Sequence, residues 1–329
     1  MGEPKDSRIK SKPNIKTASN LSDAFLACGK ISKPHIRIIY TWTQRRVYLS
    51  IAHHLLIRRC APPPLPTAAR ARIIPAIEIT TKRIAAESSV AHLSHVKALV
   101  FDVFGTVVDW RGSIARDLAA FGAQRGIAAD WVRFTDDWRA LYQPAMDEVR
   151  TGRRAWTILD ILHKESLITL LERYGIKGLS DADIDHLTRA WHRLDPWPDT
   201  IAGLTRLKQR YIIGPMSNGN VGLLTRMGKH AGLPWDVILG AETARAYKPL
   251  PESYLRNAAL LNLEPGEVML VAAHNNDLAA AAAVGLATAF VSRPTEYGPG
   301  QTKDLAATGP WNVVTDSFVG LADKLECPA

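Results

Sequence analysis

The chain has 329 residues, and its 47% hydrophobic and 22% charged content fits a globular enzyme of one large domain or two smaller ones. The net charge of +9 is uneven: residues 1–94 carry 16 Lys and Arg against 5 Asp and Glu, whereas the remainder carries 25 against 27. No apolar stretch approaches the roughly 18 residues of a membrane span. Composition therefore argues against a nucleic-acid or membrane partner for residues 95–329.

Residues 1–94 lack sustained periodicity and contain a proline-rich run over residues 60–66. We expect a basic, disordered leader, or a translation start assigned too far upstream, because a complete domain begins near His95. An organelle transit peptide and a nucleic-acid-binding arm stay open as alternatives. The three cysteines, Cys28, Cys60 and Cys327, have no metal or redox spacing, so a reducing cytoplasm is the simplest compartment.

The most informative segment is Ala98-Leu-Val-Phe-Asp102, followed by Val-Phe-Gly105-Thr106. Its apolar half predicts a buried parallel strand, which places the Asp102 carboxylate at the carboxyl edge of a sheet. Open α/β sheets bind their ligands at this edge. Gly105 permits a sharp turn, and the Thr106 hydroxyl can hydrogen-bond near the carboxylate. A carboxylate in this position can act as a covalent nucleophile.

Apolar spacing then predicts four helices, over residues 114–125, 131–150, 155–174 and 180–193, before Pro196–Asp199 interrupts the helical pattern. Strands at 211–216, 237–240, 268–272 and 287–291 alternate with helices at 200–210, 221–231, 252–261 and 278–284. This order predicts an α/β fold, a doubly wound parallel sheet with an inserted helical cap. We assign residues 95–112 and 196–323 to the core, 113–195 to the cap and 324–329 to a tail.

Polar residues follow three of the later strands. The first group is Ser217-Asn218-Gly219, a turn that can cradle an anion or simply cap a helix. The second is Lys248 before a proline, whose ammonium can keep a nearby carboxylate ionised, with Tyr254 six residues on. The third contains His274, which can polarise water, and Asp277, which can pair with the lysine. Each signal alone is weak, but their order is specific.

Asp-x-x-Gly-Thr, Ser-Asn-Gly, Lys-Pro and a final Asp, each after a strand, resemble the four motifs of the haloacid dehalogenase superfamily over residues 95–323. The Tyr247-Lys248-Pro249 form, followed by Tyr254, is similar to the (S)-2-haloacid dehalogenases in particular. Phosphatases of the superfamily usually carry a second Asp two residues after the nucleophile, as a proton donor to the departing alcohol. This chain has Phe104 there, which cannot donate a proton. A halide leaves without one.

The resemblance implies hydrolysis of short 2-haloacids through an aspartyl ester, with no metal or other cofactor and with a small halogenated carboxylic acid and water as partners. The resemblance implies that Asp102 is the nucleophile, with Thr106 beside it, and that Lys248, paired with Asp277 near Tyr254, keeps it ionised. Ser217 would bind the substrate carboxylate, and Arg139 and Asn218 would receive the halide near Phe104. His274 would assist the hydrolytic water. His274 stands where the family often has an amide, in Ala272-Ala273-His274, and we expect an imidazole that positions or deprotonates water.

A magnesium-dependent phosphatase and a non-catalytic binding protein that kept the fold stay open as alternatives. The oligomeric state is also open, although related dehalogenases often form homodimers.

Overall fold

The computed structural model describes residues 93–329, and the expectations for residues 1–92 lie outside the described residues. Six parallel strands form the main sheet in the order β5-β4-β1-β6-β7-β8, and β2 pairs with β3 in a short antiparallel ribbon. The strands are β1 (Ala98–Phe101), β2 (Val108–Asp109), β3 (Asp195–Pro196), β4 (Ile212–Ser217), β5 (Leu239–Gly240), β6 (Val268–Ala272), β7 (Ala287–Val291) and β8 (Val313–Thr315). The predicted fold class is confirmed.

Ten α-helices accompany the strands in the described part of the chain. They are α1 (Trp110–Arg125), α2 (Trp131–Arg150), α3 (Leu159–Arg173), α4 (Asp181–Thr188), α5 (Thr200–Lys208), α6 (Val221–Ala231), α7 (Ala241–Ala244), α8 (Pro251–Leu260), α9 (Asn275–Ala283) and α10 (Phe318–Lys324). Two 3-10 turns, Arg189–His192 and Pro265–Glu267, complete the set.

The central strand β1 is apolar along its whole length because both faces of the sheet are covered. Leu99 and Phe101 pack into the hydrophobic cluster on one face, which includes residues of α5, α6 and α10. Ala98 and Val100 pack into the cluster on the other face, which includes residues of α8 and α9. Burial on both faces fixes the register of β1 and therefore the position of the residue that comes after it.

Helices α1 to α4 lie between β2 and β3 in the sequence. The ribbon of β2 and β3 thus marks where the chain leaves the sheet and where it returns. The core shared by helices α1 to α4 is aromatic: the ring centroid of Trp138 lies 6.3 Å from that of Phe134 and 5.7 Å from that of Trp191. The helices predicted after the first strand are present, while their division from the core as a cap over 113–195 stays a prediction.

Several element bounds differ from the predictions. Helix α1 begins at Trp110 rather than at residue 114, because Asp109 accepts a hydrogen bond from the Gly112 amide and caps it. Helix α9 begins at Asn275 rather than at residue 278, so Asp277 lies in its first turn and not in a loop. β8 and α10 were not predicted, since three residues of strand and seven of helix give too little periodicity.

Residues 324–329, predicted as a tail, are partly packed against the core, since Leu325 and Cys327 are buried. In the part of the chain that the structure covers, no helix has the length and apolarity needed to cross a membrane. The cytoplasmic location and the homodimer stay predictions.

Candidate active site

The strand β1 places Asp102 at the carboxyl edge of the sheet, as predicted. The Asp102 amide continues the ladder by donating to the Val271 carbonyl at 3.0 Å. The chain then turns through Gly105, whose φ of +91° is a conformation that favours glycine. The turn brings the Thr106 hydroxyl to 2.8 Å from Oδ2 of Asp102, to which it donates, while it accepts from the Ala273 amide.

Lys248 supplies the positive charge beside the candidate nucleophile. Its Nζ lies 2.9 Å from Oδ1 of Asp102 and is also ion-paired with Asp277. The Tyr254 hydroxyl donates to the other oxygen of Asp277 at 2.6 Å. Burial alone would raise the pKa of Asp102, but the Lys248 ammonium, with His274, holds it well below its usual range. Asp102 is therefore ionised at neutral pH.

His274 touches the same carboxylate from the opposite side. Its Nδ1 lies 3.0 Å from Oδ2 of Asp102, and its Nε2 lies 2.9 Å from Oε2 of Glu296. The other oxygen of Glu296 accepts from the indole Nε1 of Trp110 at 3.0 Å. Burial would lower the pKa of His274, but the charge of Glu296 and the hydrogen bonds to both carboxylates raise it to about 10. His274 is thus a buried imidazolium between two carboxylates.

A cavity of about 620 Å³ opens in front of Asp102, and Arg139 of α2 forms part of its wall. The Arg139 guanidinium lies 4.2 Å from the ring centroid of Tyr142, 5.2 Å from that of Trp110 and 6.0 Å from that of Phe104. Within residues 93–329, its Nη1 is buried without a hydrogen-bond partner. A desolvated cation held by aromatic faces, with a donor unused, is suited to an anionic ligand.

The family model for haloacid dehalogenase-like hydrolases matches residues 96–285. The chain belongs to this hydrolase family.

Solved structures and sequenced relatives support the family assignment. A crystal structure of the defluorinating L-2-haloacid dehalogenase Rha0230 is 53% identical, with a TM-score of 0.70 over 70% of this chain and 96% of that chain. The crystal structure of the L-2-haloacid dehalogenase PA0810 is 48% identical, with a TM-score of 0.69, and the match covers 70% of this chain and 99% of that chain. (S)-2-haloacid dehalogenase 4A of Burkholderia cepacia is 29% identical over 61% of this chain and 87% of its own length. Hexitol phosphatase A of Escherichia coli is 28% identical over 53% of this chain and 73% of its own length.

Not every residue that the resemblance to this hydrolase family implied lies at the cavity. Asn218 lines it, and its Oδ1 accepts from the Lys248 amide at 2.8 Å. Ser217 is only 1% exposed and lies outside the lining, where its hydroxyl accepts from the Gly219 amide at 3.1 Å. Ser217 thus shapes the turn that carries Asn218, and its contact with a substrate carboxylate stays a prediction.

His274 is also placed differently from the expectation. We expected a ring nitrogen free to hold or deprotonate water, yet both ring nitrogens are occupied by carboxylates. A cation with both N–H groups engaged cannot accept a proton from water. The expected role therefore requires a change of state during the reaction.

The donor set does not fit a magnesium ion. Both oxygens of Asp102 face proton donors, namely Lys248 on one side and Thr106 and His274 on the other. In the covered region there is no group of three or more His, Cys, Asp and Glu side chains arranged to hold a metal. A divalent cation beside Asp102 would have to compete with these donors for the carboxylate oxygens.

Sequence reasoning missed Glu296, which holds His274, and Trp110, which donates to Glu296. Glu296 lies in the loop after β7 and is 1% exposed. No spacing rule connects it to a histidine 22 residues earlier. A signal exists in Gly105: a Cβ there would lie 2.1 Å from Oε1 of Glu296, so the motif glycine is needed partly because this carboxylate lies against it.

Proposed function

We propose that this hydrolase cleaves the carbon–halogen bond of 2-haloacids and releases halide and a 2-hydroxy acid. One observation carries the proposal: the cavity in front of Asp102 holds a buried cation for a departing anion at Arg139, and Phe104 where a proton donor would be needed for a departing alcohol. An alkoxide needs that proton and a halide does not. The two solved relatives at 53% and 48% identity, both described as L-2-haloacid dehalogenases, support the same chemistry.

In the first step, a carboxylate oxygen of Asp102 attacks the carbon that bears the halogen. The new carbon–oxygen bond forms an aspartyl ester as the carbon–halogen bond breaks, and the halide leaves with the electron pair toward Arg139. Lys248 keeps Asp102 ionised and fixes its orientation, and its second partner, Asp277, fixes the ammonium. Attack from the side opposite the halogen inverts the configuration of a chiral carbon.

In the second step, water attacks the carbonyl carbon of the ester, which restores Asp102 and releases the 2-hydroxy acid and one proton. The ester no longer carries the negative charge that helps to raise the pKa of His274. The pKa therefore falls when the ester forms, and His274 can release to solvent the proton that it shared with Asp102. Its Nδ1 then accepts a proton from the attacking water and returns it to the departing alkoxide oxygen, while Glu296 still holds Nε2. This order of events explains how an imidazolium in the free enzyme becomes the base.

The decisive experiment has two parts. The first measures halide release from both enantiomers of 2-chloropropionate by wild type and by Asp102→Asn, which removes the nucleophile. We expect turnover by wild type with one enantiomer preferred and no turnover by the variant. Undiminished chloride release by Asp102→Asn would refute the role of Asp102.

The second part follows the oxygen atoms. A single turnover with enzyme in excess in ¹⁸O-water should place the label in the Asp102 side chain, detected by peptide mass spectrometry, and leave the 2-hydroxy acid unlabelled. Label in the product alone would show that water displaces the halide directly and that no ester forms.

The phosphatase alternative is tested in the same preparations. The relationship to hexitol phosphatase A gives it a basis, whereas Phe104, which cannot protonate a departing alcohol, argues against it. Magnesium-dependent hydrolysis of p-nitrophenyl phosphate, without halide release, would favour the phosphatase.

A further inference from the structure

The cavity contains a second guanidinium that the proposed reaction does not use. Arg150 lines it, at the carboxyl end of α2. Arg139 and Arg150 are eleven residues apart, which is about three helical turns, so both side chains leave α2 on the same face. Gln143, one turn after Arg139 on that face, lines the cavity between them.

Arg150 is held in place but is not saturated. Its Nη1 lies 2.7 Å from Oδ1 of Asp147, and its Nη2 donates to Oε1 of Gln143 at 2.6 Å. Its Nε is buried and has no hydrogen-bond partner in the covered part of the chain. The Arg150 side chain is 12% exposed, whereas that of Asp147 is 50% exposed, so solvent screens the counter-charge more than the guanidinium. Arg150 thus lines the cavity with a guanidinium whose hydrogen-bonding capacity is not fully used.

Three cations of the cavity, Arg139, Arg150 and Lys303, lie outside the cluster around Asp102. Within that cluster, Lys248 and His274 contact three carboxylates, Asp102, Asp277 and Glu296, so no positive charge is left over there. Asp304 at the rim accepts two hydrogen bonds from Asn275. Lys303 also lines the cavity, and no carboxylate forms an ion pair with it within residues 93–329.

The size of the cavity leaves room for a substrate longer than a three-carbon acid. Its volume of about 620 Å³ is in the middle of the range of roughly 300–1,000 Å³ that accommodates drug-sized ligands. A three-carbon haloacid bound between Asp102 and Arg139 would leave most of it unfilled. The Cα atoms of Arg139 and Arg150 lie about 16 Å apart along the helix axis, so one small anion contacts only one of the two guanidiniums.

We propose that Arg150, oriented by Gln143, binds a second acidic group of the substrate, so that the preferred substrates are 2-halodicarboxylic acids rather than 2-halomonocarboxylic acids. This inference rests on the proposed function, because it assigns the distal end of the same substrate. The halogen-bearing carbon lies at Asp102, the halide at Arg139 and the distal carboxylate at Arg150. Arg150 is a substrate-binding residue in this arrangement and takes no part in bond breaking.

The test compares acids of equal chain length: 2-chlorosuccinate with 2-chlorobutanoate, and 2-chloroglutarate with 2-chloropentanoate. We expect a higher kcat/KM for the diacid of at least one pair. Arg150→Gln should lower kcat/KM for the diacid about ten- to hundredfold, through KM, because a charged hydrogen bond to the bound substrate is lost. For the monoacid it should change kcat/KM by no more than about twofold, and Arg150→Lys should restore part of the diacid preference.

Arg153→Gln is the matched control, since Arg153 pairs with Glu148 at the surface and does not line the cavity. An equal loss for both acids of a pair in Arg150→Gln would overturn the proposal and assign Arg150 to the shared carboxylate or to stability.

Calorimetric binding of the product analogues malate and lactate gives a readout without turnover: wild type should bind malate more tightly, and Arg150→Gln should lose that difference. Absence of chloride release from every acid, 2-chloropropionate included, would instead refute the proposed function, and unselective binding of malate would refute the subsite.

Discussion

Replacing Glu296 with Gln tests the most consequential interaction that sequence reasoning missed. The substitution keeps the shape of the side chain and removes one buried negative charge, 2.9 Å from Nε2 of His274. Two unit charges about 4 Å apart at an effective dielectric constant of about 20 interact by about 4 kcal/mol, which corresponds to about 3 pKa units. The pKa of His274, raised to about 10 in the wild type, should therefore fall to about 7 in Glu296→Gln.

The lower pKa has two measurable consequences. Imidazole resonances of His274, followed by NMR as a function of pH, should titrate near neutrality in the variant and only in the alkaline range in the wild type. Stability should change in parallel, because a His whose pKa is raised by folding contributes stability below its unfolded pKa of about 6.5 and loses it as pH rises through its folded pKa. The stability advantage of the wild type over Glu296→Gln should thus be largest below pH 6.5 and shrink as the pH approaches about 10.

The kinetic consequence separates the two chemical steps. Alkylation of Asp102 needs no base, whereas ester hydrolysis in our mechanism needs His274 oriented by Glu296. We expect hydrolysis to slow by about a hundredfold or more in Glu296→Gln, a typical loss for impaired general-base catalysis. The ester then accumulates, and stopped-flow measurement should show a rapid release of about one halide per active site before slow turnover.

Glu165→Gln is the control, because Glu165 forms an ion pair with Arg154 at the surface, away from the cavity. An unchanged titration of His274 in Glu296→Gln, together with steady turnover without a burst, would refute both the electrostatic account and the assignment of the base.

Three further outcomes are expected from the packing. Gly105→Ala should destabilise the fold by about 1–3 kcal/mol in urea unfolding, since its φ is +91° and the new Cβ would lie 2.1 Å from Glu296; wild-type stability would contradict this. Lys248→Met should cost about 3–5 kcal/mol at pH 8 and less at pH 5, where one of the unpaired buried carboxylates takes up a proton; a loss independent of pH would contradict it. Burial lowers the pKa of His163 to about 3, so the wild type loses stability as pH falls below 6.5. The free energy of unfolding of His163→Phe, relative to that of the wild type, should therefore be about 3 kcal/mol higher at pH 4 than at pH 8, and equal pH profiles of the two proteins would exclude this.

Prediction from sequence succeeded where a short apolar run was bounded by strong turn signals. The bounds of β6, β7 and α6 agree with the predicted spans, because both strands are buried throughout and α6 has a buried apolar face and ends at Gly232. The same logic placed Asp102 at the carboxyl edge of the sheet. Lys248, predicted to follow a strand, instead comes after the short helix α7 and still reaches Asp102. It could not find β8, in which Val314 is exposed and only two residues face the core.

The second carboxylate on His274 lay beyond this logic for a physical reason. Glu296 belongs to a loop after β7, and its partner Trp110 is 186 residues away in sequence. Loop residues carry no periodicity, so only the path of the folded chain brings them together. Sequence patterns find residues at strand ends, whereas they do not find the residues that pack behind them.

The arrangement of charge around Asp102 explains why these hidden residues matter. Each cation that touches Asp102 has a second carboxylate of its own: Lys248 pairs with Asp277, and His274 pairs with Glu296. When Asp102 becomes a neutral ester, neither cation is left as an unpaired buried charge, which would cost several kcal/mol. The two cations differ in whether they then keep their protons. The ammonium keeps its proton because the unperturbed pKa of lysine is about 10.4, whereas imidazole, with an unperturbed pKa of about 6.5, can release one once the charge of Asp102 is gone. In the proposed mechanism, the same nucleophile thus has one permanent cation for alkylation and one conditional base for hydrolysis.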